Sequence, residues 1–343
     1  MAIRIGLVGY GDGGRLFHAP YIRASDAAEL VGVVVRSPER VRQLAEDHPA
    51  VPAYASLGEL IDAGVDAVTI STPPETRRDL VLEALGRGVS VLADKPFGPS
   101  AAAAQELVDA AREARRMLNV FHNRRYDTDI VTARAVVATG RLGELTRLDL
   151  RFDLDEPGTL EAGPTGGLLR DLGSHLVDQA LTLMGPAVSV TAYLDYFELP
   201  AGRTDSGFVI NIAHVGGRHS HVSASKVNAL VSKELRLHGT LGSYTSDFSD
   251  VQTEAIKRGE RPVGRRDEWG LEVESRWGTL SIAGQQPERV PSERGDYSNL
   301  YDEFAAAVEQ GGPGPVPWEQ GVAVLRVLDA ARRSADEGRT IEV

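Results

Sequence analysis

The sequence contains no cysteine in its 343 residues. Disulfide bonds, thiolate metal sites and a cysteine nucleophile are therefore excluded. No apolar run approaches the roughly 20 residues that a membrane-spanning helix requires. Basic residues are outnumbered, which gives a formal net charge of -12, and a surplus of negative charge repels nucleic acids and anionic membranes. We therefore expect neither a nucleic acid nor a membrane as a partner.

Several catalytic and metal-binding motifs are missing as well. The sequence has no H-E-x-x-H metalloprotease pattern and no P-loop, and we predict no metal site. His214, His219 and His221 lie close together in the sequence. We interpret them as polar surface residues rather than as metal ligands.

The chain does have the length and the apolar content of a two-domain protein. Hydrophobic residues make up 42% of the sequence, which is enough for two separate cores. A strand pattern begins at Ile3, so a signal peptide has no room before it. We therefore expect a cytoplasmic protein of two domains.

Strand and helix patterns alternate through the first third of the sequence. The predicted strands cover residues 3–8, 30–35, 67–71, 89–93 and 117–121. The predicted helices between them cover residues 15–24, 38–48, 74–87 and 100–115. Such alternation indicates a parallel sheet with helices on both faces, so residues 1–122 are predicted to form a dinucleotide-binding Rossmann domain.

The first predicted strand runs directly into a glycine-rich turn that opens the first helix. In this G-x-G-x-x-G pattern the glycines allow a tight turn, admit a pyrophosphate to the backbone amides and let helix and strand pack closely. The alternative is an ordinary glycine-rich turn. We predict a dinucleotide site whose residues are Gly9, Gly11, Asp12, Gly13 and Gly14. The Asp12 carboxylate would repel phosphates unless it faces solvent or caps the helix.

The end of the second predicted strand bears on the choice of cofactor. A protein that prefers NAD usually places an acidic residue there, against the adenine ribose. Here the position reads Arg36-Ser37, with Arg40 one turn further on. A guanidinium and a hydroxyl suit a 2′-phosphate, so NADP(H) is favoured over NAD(H). The alternative is that Arg36 is a solvated surface charge.

Further residues expected beside the cofactor follow the other strands. Open parallel sheets bind their ligands at the carboxyl edge. The candidates at that edge are Ser71, Thr72, Pro73, Asp94, Lys95, Pro96 and Asn123.

The alternation stops after residue 122, and the strands that follow have few helices between them. Consecutive strands of this kind indicate antiparallel pairing. Residues 123–343 are therefore predicted to form a substrate-binding domain, and the last helix is expected to pack back on the first domain. The charged stretch over residues 250–267 is predicted to be an exposed loop.

One helix of this second part carries candidate catalytic groups. It opens at Gly166-Gly167 and includes Asp171 and His175 at positions i and i+4, which share a helix face. A carboxylate and an imidazole on one face can together move a proton. The alternative is a capped helix with a structural histidine.

Four segments together resemble one known family. They are the glycine-rich turn, Asp94-Lys95-Pro96, residues 122–127 and residues 166–179. The chain is similar over essentially its whole length to the Gfo/Idh/MocA oxidoreductases, which include glucose-fructose oxidoreductase, inositol dehydrogenase and rhizopine catabolism proteins. The segments at residues 123–125 and 171–175 look most like its NADPH-dependent scyllo-inositol dehydrogenase branch.

The resemblance implies an α/β fold in which a Rossmann domain precedes an α+β domain with a large, mostly antiparallel sheet. The exposed face of that sheet would mediate a homodimer or homotetramer. The implied activity is NAD(P)-dependent oxidation or reduction of a polyol, inositol or sugar derivative. Lys95 matches the residue that touches the reacting hydroxyl and the nicotinamide ribose, Asp171 and His175 match the substrate-binding and acid/base positions, and Arg124 falls in a substrate-binding segment.

The sequence departs from the family pattern at three places. Asp94 stands where the family has a glutamate, which leaves its supporting role open. Arg77 follows Thr76 where a histidine is common, and residues 155–162, expected to border the pocket, are short and poor in aromatic and basic residues. The last departure weakens the inositol interpretation.

Alcohol oxidation needs a base for the hydroxyl proton and a cation for the developing alkoxide. An imidazole ordinarily titrates near neutrality, so His175 suits the first role and Lys95 the second. Two other classes stay open. One is a glycoside hydrolase that works by transient oxidation with a retained NAD, and the other is a nonenzymatic nicotinamide-binding regulator, against which Lys95, Asp171 and His175 argue.

Overall fold

A computed structural model describes residues 2–163, 166–247 and 249–343. Its Cα positions divide into two compact units, each assembled from separate stretches of chain. The first contains the residues up to Asn123 together with Ala255–Glu268 and Asp296–Val322. The second contains Arg124–Glu254, Trp269–Gly295 and Ala323–Val343. Two of the boundaries fall within α-helices, one after Glu254 and one after Val322.

The first unit contains a six-stranded sheet among its described residues, with the order β3-β2-β1-β4-β5-β6. All of its strand pairs are parallel. The strands are β1 (Ile3–Val8), β2 (Ala28–Val34), β3 (Ala53–Tyr54), β4 (Ala67–Ile70), β5 (Ser90–Asp94) and β6 (Leu118–Phe121). The predicted Rossmann architecture is confirmed, because alternating strands and helices produce this parallel sheet.

The helices follow in chain order. They are α1 (Ala19–Ala24), α2 (Pro38–Asp47), α3 (Leu57–Asp62), α4 (Pro74–Gly86), α5 (Ala101–Ala114), α6 (Thr128–Ala138), α7 (Leu168–Met184), α8 (Val251–Lys257), α9 (Ser298–Gln310) and α10 (Trp318–Glu337). A π-helical turn, Gly13–His18, leads into α1. The sequence did not predict β3 and α3, which have two and six residues and are too short for a periodic pattern.

The second unit has a nine-stranded sheet in its described residues, with the order β14-β13-β12-β11-β7-β10-β9-β8-β15. The strands are β7 (Leu145–Asp155), β8 (Ala187–Leu199), β9 (Gly202–His214), β10 (His219–Ser225), β11 (Val227–Gly239), β12 (Gly242–Asp247), β13 (Gly278–Ile282), β14 (Glu288–Val290) and β15 (Ile341–Glu342). Only β7 and β10 pair in parallel within this sheet, and the other pairs are antiparallel.

Helix α7 packs on the inner face of this sheet, against β9, β10 and β7. Ile212 and Val222 are buried on that face, whereas Val209 is exposed on the other. This division follows from the period of two along a strand. The large, mostly antiparallel sheet that the family resemblance implied is therefore confirmed.

Two predictions from the sequence are wrong. The stretch over residues 250–267 is not a simple exposed loop, because it contains α8, in which Gln252 is buried. Its amide accepts from the Trp269 indole and donates to the carbonyl of Tyr126, both at 3.0 Å. His214 is not a surface residue either, because it is buried with Nδ1 at 2.7 Å from the carbonyl oxygen of Gly185.

None of the helices in the described ranges is long and apolar enough to cross a lipid bilayer.

The outer face of the large sheet exposes apolar groups. Tyr193 of β8 lies opposite Val209 of β9, and these residues are 68% and 42% exposed. Apolar side chains on a regular sheet face commonly mark a contact with another protein. We propose that a second copy of this chain covers this face.

Multi-angle light scattering tests this proposal. We expect a dimer or tetramer at micromolar concentration, and we expect Tyr193→Glu to yield a smaller species because a carboxylate is costly to bury without a partner. Leu271→Glu, on a loop where Leu271 is 55% exposed, is the matched control and should keep the assembly. A monomeric wild-type protein would contradict the proposal.

Candidate active site

The carboxyl edge of the first sheet gathers the predicted cofactor residues. The strand order changes direction between β1 and β4, which is where open parallel sheets bind ligands. The first residue after β4 is bonded to the end of β1, since the amide of Ser71 donates to the carbonyl of Val8 at 2.9 Å. Lys95 follows β5 at the same edge and is half-buried. Asn123 is buried just after β6.

The glycine-rich loop fits a dinucleotide. Gly9 has a φ of +103°, and a β-carbon there would lie 2.4 Å from the carbonyl oxygen of Ser71. A β-carbon at Gly14 would lie 2.1 Å from the carbonyl oxygen of Gly9. At Gly11, by contrast, a β-carbon would have no heavy atom within 4 Å. The outer glycines are therefore required by packing, whereas Gly11 borders open space that a pyrophosphate could occupy.

Asp12 does not obstruct this loop. Its side chain is 81% exposed and lies 3.7 Å from a guanidinium nitrogen of Arg40, and it makes no capping hydrogen bond. The carboxylate faces solvent, where its repulsion of phosphates is screened. The neighbouring Arg36 and Ser37 are exposed beyond β2. Ser37 caps α2 by accepting from the amide of Arg40 at 3.4 Å.

Asp94 is held by its own unit despite its short side chain. Its carboxylate accepts from the hydroxyl of Ser71 at 3.0 Å and from the amide of Lys95 at 2.8 Å. The Nε2 atom of His18 lies 3.5 Å away. Burial opposes ionisation, but His18, Arg77 and Lys95 together hold the pKa of the Asp94 carboxyl well below its ordinary value. This carboxylate is therefore ionised and fixed directly before Lys95.

His18 belongs to the buried structure behind this edge. Its ring is fully buried and stacks on Phe121 with the centroids 3.9 Å apart. Its Nδ1 atom lies 2.6 Å from the hydroxyl of Tyr301 in α9. The histidine therefore connects α9 with the Asp94 carboxylate inside the first unit. Its position at the end of the π-helical turn gave no sign of this contact with a residue far along the chain.

Arg77 joins the two loops at the carboxyl edge. Its guanidinium donates to the carbonyl of Pro96 at 2.6 Å and to that of Thr72 at 2.7 Å. The residue is buried. Both acceptors belong to segments predicted to touch the cofactor, so the departure from the family's histidine has a structural role here.

In the second unit, a buried carboxylate fixes the start of α7. Asp205 of β9 accepts from the amide of Leu169 at 2.6 Å, which supplies the cap that Gly167 lacks. Gly167 has a φ of +95°, and a β-carbon there would lie 2.2 Å from Asp205. A glycine is therefore needed at position 167, where the helix meets β9.

Asp171 and His175 lie on successive turns of this fixed helix. His175 is buried, and the Asp171 side chain is 51% exposed. The Nζ atom of Lys226 lies 2.8 Å from a carboxylate oxygen of Asp171. The predicted pair is therefore present in the second unit with a cation that the sequence analysis did not find.

The segment after Asn123 is tied to the same helix. Arg125 forms a two-point contact with Asp178 of α7, at 2.8 and 2.5 Å. Gln179 donates to the carbonyl of Arg124 at 3.1 Å. The Arg124 guanidinium donates to Asp127 and Asp250, both at 2.9 Å. The structure thus gives Arg124 two carboxylate partners, and its role toward substrate stays a prediction.

A buried ionic cluster continues from these partners. The ammonium of Lys233 lies 3.1 Å from both Asp127 and Asp129, and 3.9 Å from Asp250. Burial raises the pKa of the Asp129 carboxyl to about 6, although Lys233 opposes this shift. We interpret this cluster as structural, since Asp127 and Asp250 contact both Lys233 and Arg124 and so hold the Arg124 guanidinium in place.

The predicted site residues thus fall into two groups. The candidates from Gly9 to Asn123 belong to the first unit, and Arg124, Asp171 and His175 belong to the second. Sequence reasoning missed Lys226, which follows a serine-rich strand and matches no motif. It missed Asp205 for a similar reason, since a cap supplied by a distant strand leaves no local signal.

Both parts of the chain match models of one family. Residues 3–122 match the NAD-binding Rossmann domain of an oxidoreductase family, and residues 134–343 match its C-terminal α/β domain. A fold with these two domains defines a nicotinamide-dependent oxidoreductase. The chain belongs to the Gfo/Idh/MocA family.

Relatives of similar length support this assignment. The uncharacterized oxidoreductase YdgJ of Escherichia coli is 33% identical, with 99% of this chain and 98% of the relative covered. The scyllo-inositol 2-dehydrogenase (NADP(+)) IolW of Bacillus subtilis is 29% identical, with 99% and 95% covered. The solved structure of YvaA from Bacillus subtilis superposes with a TM-score of 0.91 at 28% identity, covering 100% of this chain and 99% of the other.

Gly11→Ala tests the position of the cofactor. Because a β-carbon at Gly11 meets no protein atom within 4 Å, we expect unfolding behaviour like that of the wild type. Binding of NADPH should weaken by about tenfold or more, a loss of about 1.4 kcal/mol, since the methyl group takes space needed by the pyrophosphate. Isothermal titration calorimetry measures this affinity.

The matched control is Gly86→Ala in α4, where a β-carbon also meets nothing within 4 Å. It should leave NADPH affinity unchanged. Equal affinities in Gly11→Ala and the wild type would show that the pyrophosphate lies elsewhere.

Proposed function

We propose that this protein transfers hydride between NADP(H) and a secondary alcohol or ketone of a polyol, inositol or sugar derivative. The observation that carries the proposal is the pair of Asp171 and His175 on a helix whose start is fixed by a buried carboxylate. A carboxylate one helical turn before an imidazole can orient it as the base that removes a hydroxyl proton. Lys95, at the carboxyl edge of a dinucleotide-binding sheet, adds the cation.

Each residue has a separate role in this proposal. The bound nicotinamide supplies the hydride acceptor or donor. His175 accepts the hydroxyl proton during oxidation and returns it during reduction. Lys95 is assigned the stabilisation of the negative charge that develops on the substrate. Asp171 orients the imidazole and holds a neighbouring hydroxyl, and Arg124 lies in a segment proposed to border the substrate.

The remaining predicted residues would hold the cofactor. The glycine-rich loop with Asp12 and Gly13 would receive the pyrophosphate. The other residues proposed to line the bound nucleotide are Ser71, Thr72, Pro73, Asp94, Pro96 and Asn123. The relative named as a scyllo-inositol 2-dehydrogenase (NADP(+)) supports a polyol substrate and the choice of NADP for this chain.

Arg36 and Ser37 are proposed to bind the 2′-phosphate of NADP. We expect NADPH to bind more tightly than NADH by roughly tenfold to a hundredfold, because a charge-assisted contact contributes about 1.5 to 3 kcal/mol. Fluorescence titration of Arg36→Ala should show this preference reduced. Arg42→Ala, another exposed arginine on the same segment, is the control. A preference that survives in Arg36→Ala would assign the 2′-phosphate to other residues.

The activity itself can be tested by following NADP+ reduction with a panel of polyols that includes scyllo-inositol and myo-inositol. At least one member of the panel should be oxidised. His175→Ala and Lys95→Ala should each lower turnover by about 10² to 10⁴. The His175 variant should retain NADPH binding, because its side chain serves the substrate.

The pH dependence separates catalysis from structure. Oxidation by the wild type should accelerate as the pH rises and the base loses its proton, and His175→Ala should lack this rise. His214→Ala, which removes a histidine hydrogen-bonded to Ser220 at 2.8 Å, should keep the wild-type pH profile. Near-normal turnover of His175→Ala with the same profile would rule out the proposed base.

A further inference from the structure

Lys226 connects two strands of the second sheet. It is the one residue between the end of β10 at Ser225 and the start of β11 at Val227. These two strands lie on opposite sides of β7, so the chain crosses the carboxyl end of β7 at Lys226. The backbone is held on both sides, since its amide donates to Ser206 at 3.0 Å and its carbonyl accepts from the amide of Glu156 at 2.9 Å.

The Lys226 side chain is nearly buried, whereas its carboxylate partner is open. The residue is 8% exposed, and its Nζ atom lies 2.8 Å from Asp171, whose side chain is 51% exposed. A buried ammonium needs a partner because an unpaired buried charge is costly. The ion pair therefore fixes a carboxylate that remains accessible to a ligand.

We propose that Lys226 is a positioning residue for the reaction, acting through Asp171. This inference rests on the proposed function of Asp171 and deepens it. Asp171 is one helical turn before His175, and a free carboxylate could adopt several rotamers. A charge-assisted hydrogen bond from a lysine whose backbone is fixed at both ends selects one of them. The carboxylate is then already oriented when substrate arrives.

The same lysine connects Asp171 with a second part of the candidate site. Glu156, whose amide donates to the Lys226 carbonyl, lies in the segment of residues 155–162 that the family resemblance implies should border the substrate pocket. Displacement of this segment would therefore be transmitted to the Asp171 carboxylate through one residue.

A double-mutant cycle tests the proposal with the polyol that the NADP+ reduction panel identifies. Lys226→Met should lower kcat by about tenfold to a hundredfold, since small misplacements of a catalytic group have effects of this size. KM should change by less than about threefold, because Lys226 itself is not proposed to contact the substrate. In an Asp171→Asn background, Lys226→Met should change kcat by less than about threefold, because the carboxylate that it positions is gone.

Two variants complete the cycle. Lys226→Arg retains the charge and should recover most of the kcat lost in Lys226→Met. Lys257→Met removes an exposed lysine from α8 and should leave kcat unchanged. If Lys226→Met does not fold, Lys226→Gln replaces it, since glutamine keeps a hydrogen-bond donor without the charge.

The outcomes distinguish this inference from the function on which it rests. Wild-type turnover in Asp171→Asn, or no oxidation of any polyol, would overturn the proposed function. A costly Asp171→Asn combined with wild-type kcat in Lys226→Met would overturn only the role of Lys226. The role of Lys226 would also be overturned if the loss of kcat in the double variant equalled the product of the losses in Lys226→Met and Asp171→Asn. Lys226 would then act independently of Asp171.

Discussion

The candidate site of the second unit depends on one carboxylate, that of Asp205. By accepting from the amide of Leu169, it satisfies a helix amide that the glycines before α7 cannot cap. The position of this carboxylate determines where α7 begins and therefore where each side chain on its first turns lies. The positions of Asp171 and His175 therefore depend on Asp205, which lies on a strand distant in sequence. A shift of that strand would move both.

In the first unit, a buried cation, Arg77, holds backbone groups in place. Arg77 donates to one carbonyl group in the loop after β4 and to one in the loop after β5. Asp94 is held from the other side by Ser71 and by the amide of Lys95. Lys95 therefore stands between two restrained neighbours, while its own side chain stays half-buried. Burying charged groups is costly, and here each has partners that offset the cost.

Much of this arrangement could be predicted from the sequence, because it is encoded locally. The alternation of strands and helices, the glycine-rich turn and the spacing of Asp171 and His175 each depend on neighbouring residues. Lys226, Asp205 and the contact of His18 with Tyr301 could not be found in this way, since their partners are far apart in the chain. Helix α8 was missed for a different reason. Its charged surface residues concealed the few buried positions, such as Ala255 and Ile256.

The assembly of the first unit from separate stretches of chain has a consequence for how the protein is made. His18 contacts Tyr301 across a separation of 283 residues, and the unit takes in Asp296–Val322. The early strands and helices therefore leave the ribosome long before α9 exists to cover them. During synthesis, His18 and Phe121 therefore remain incompletely buried until Tyr301, which contacts both, has been added. The first unit can therefore be completed only after Asp296–Val322 has been translated.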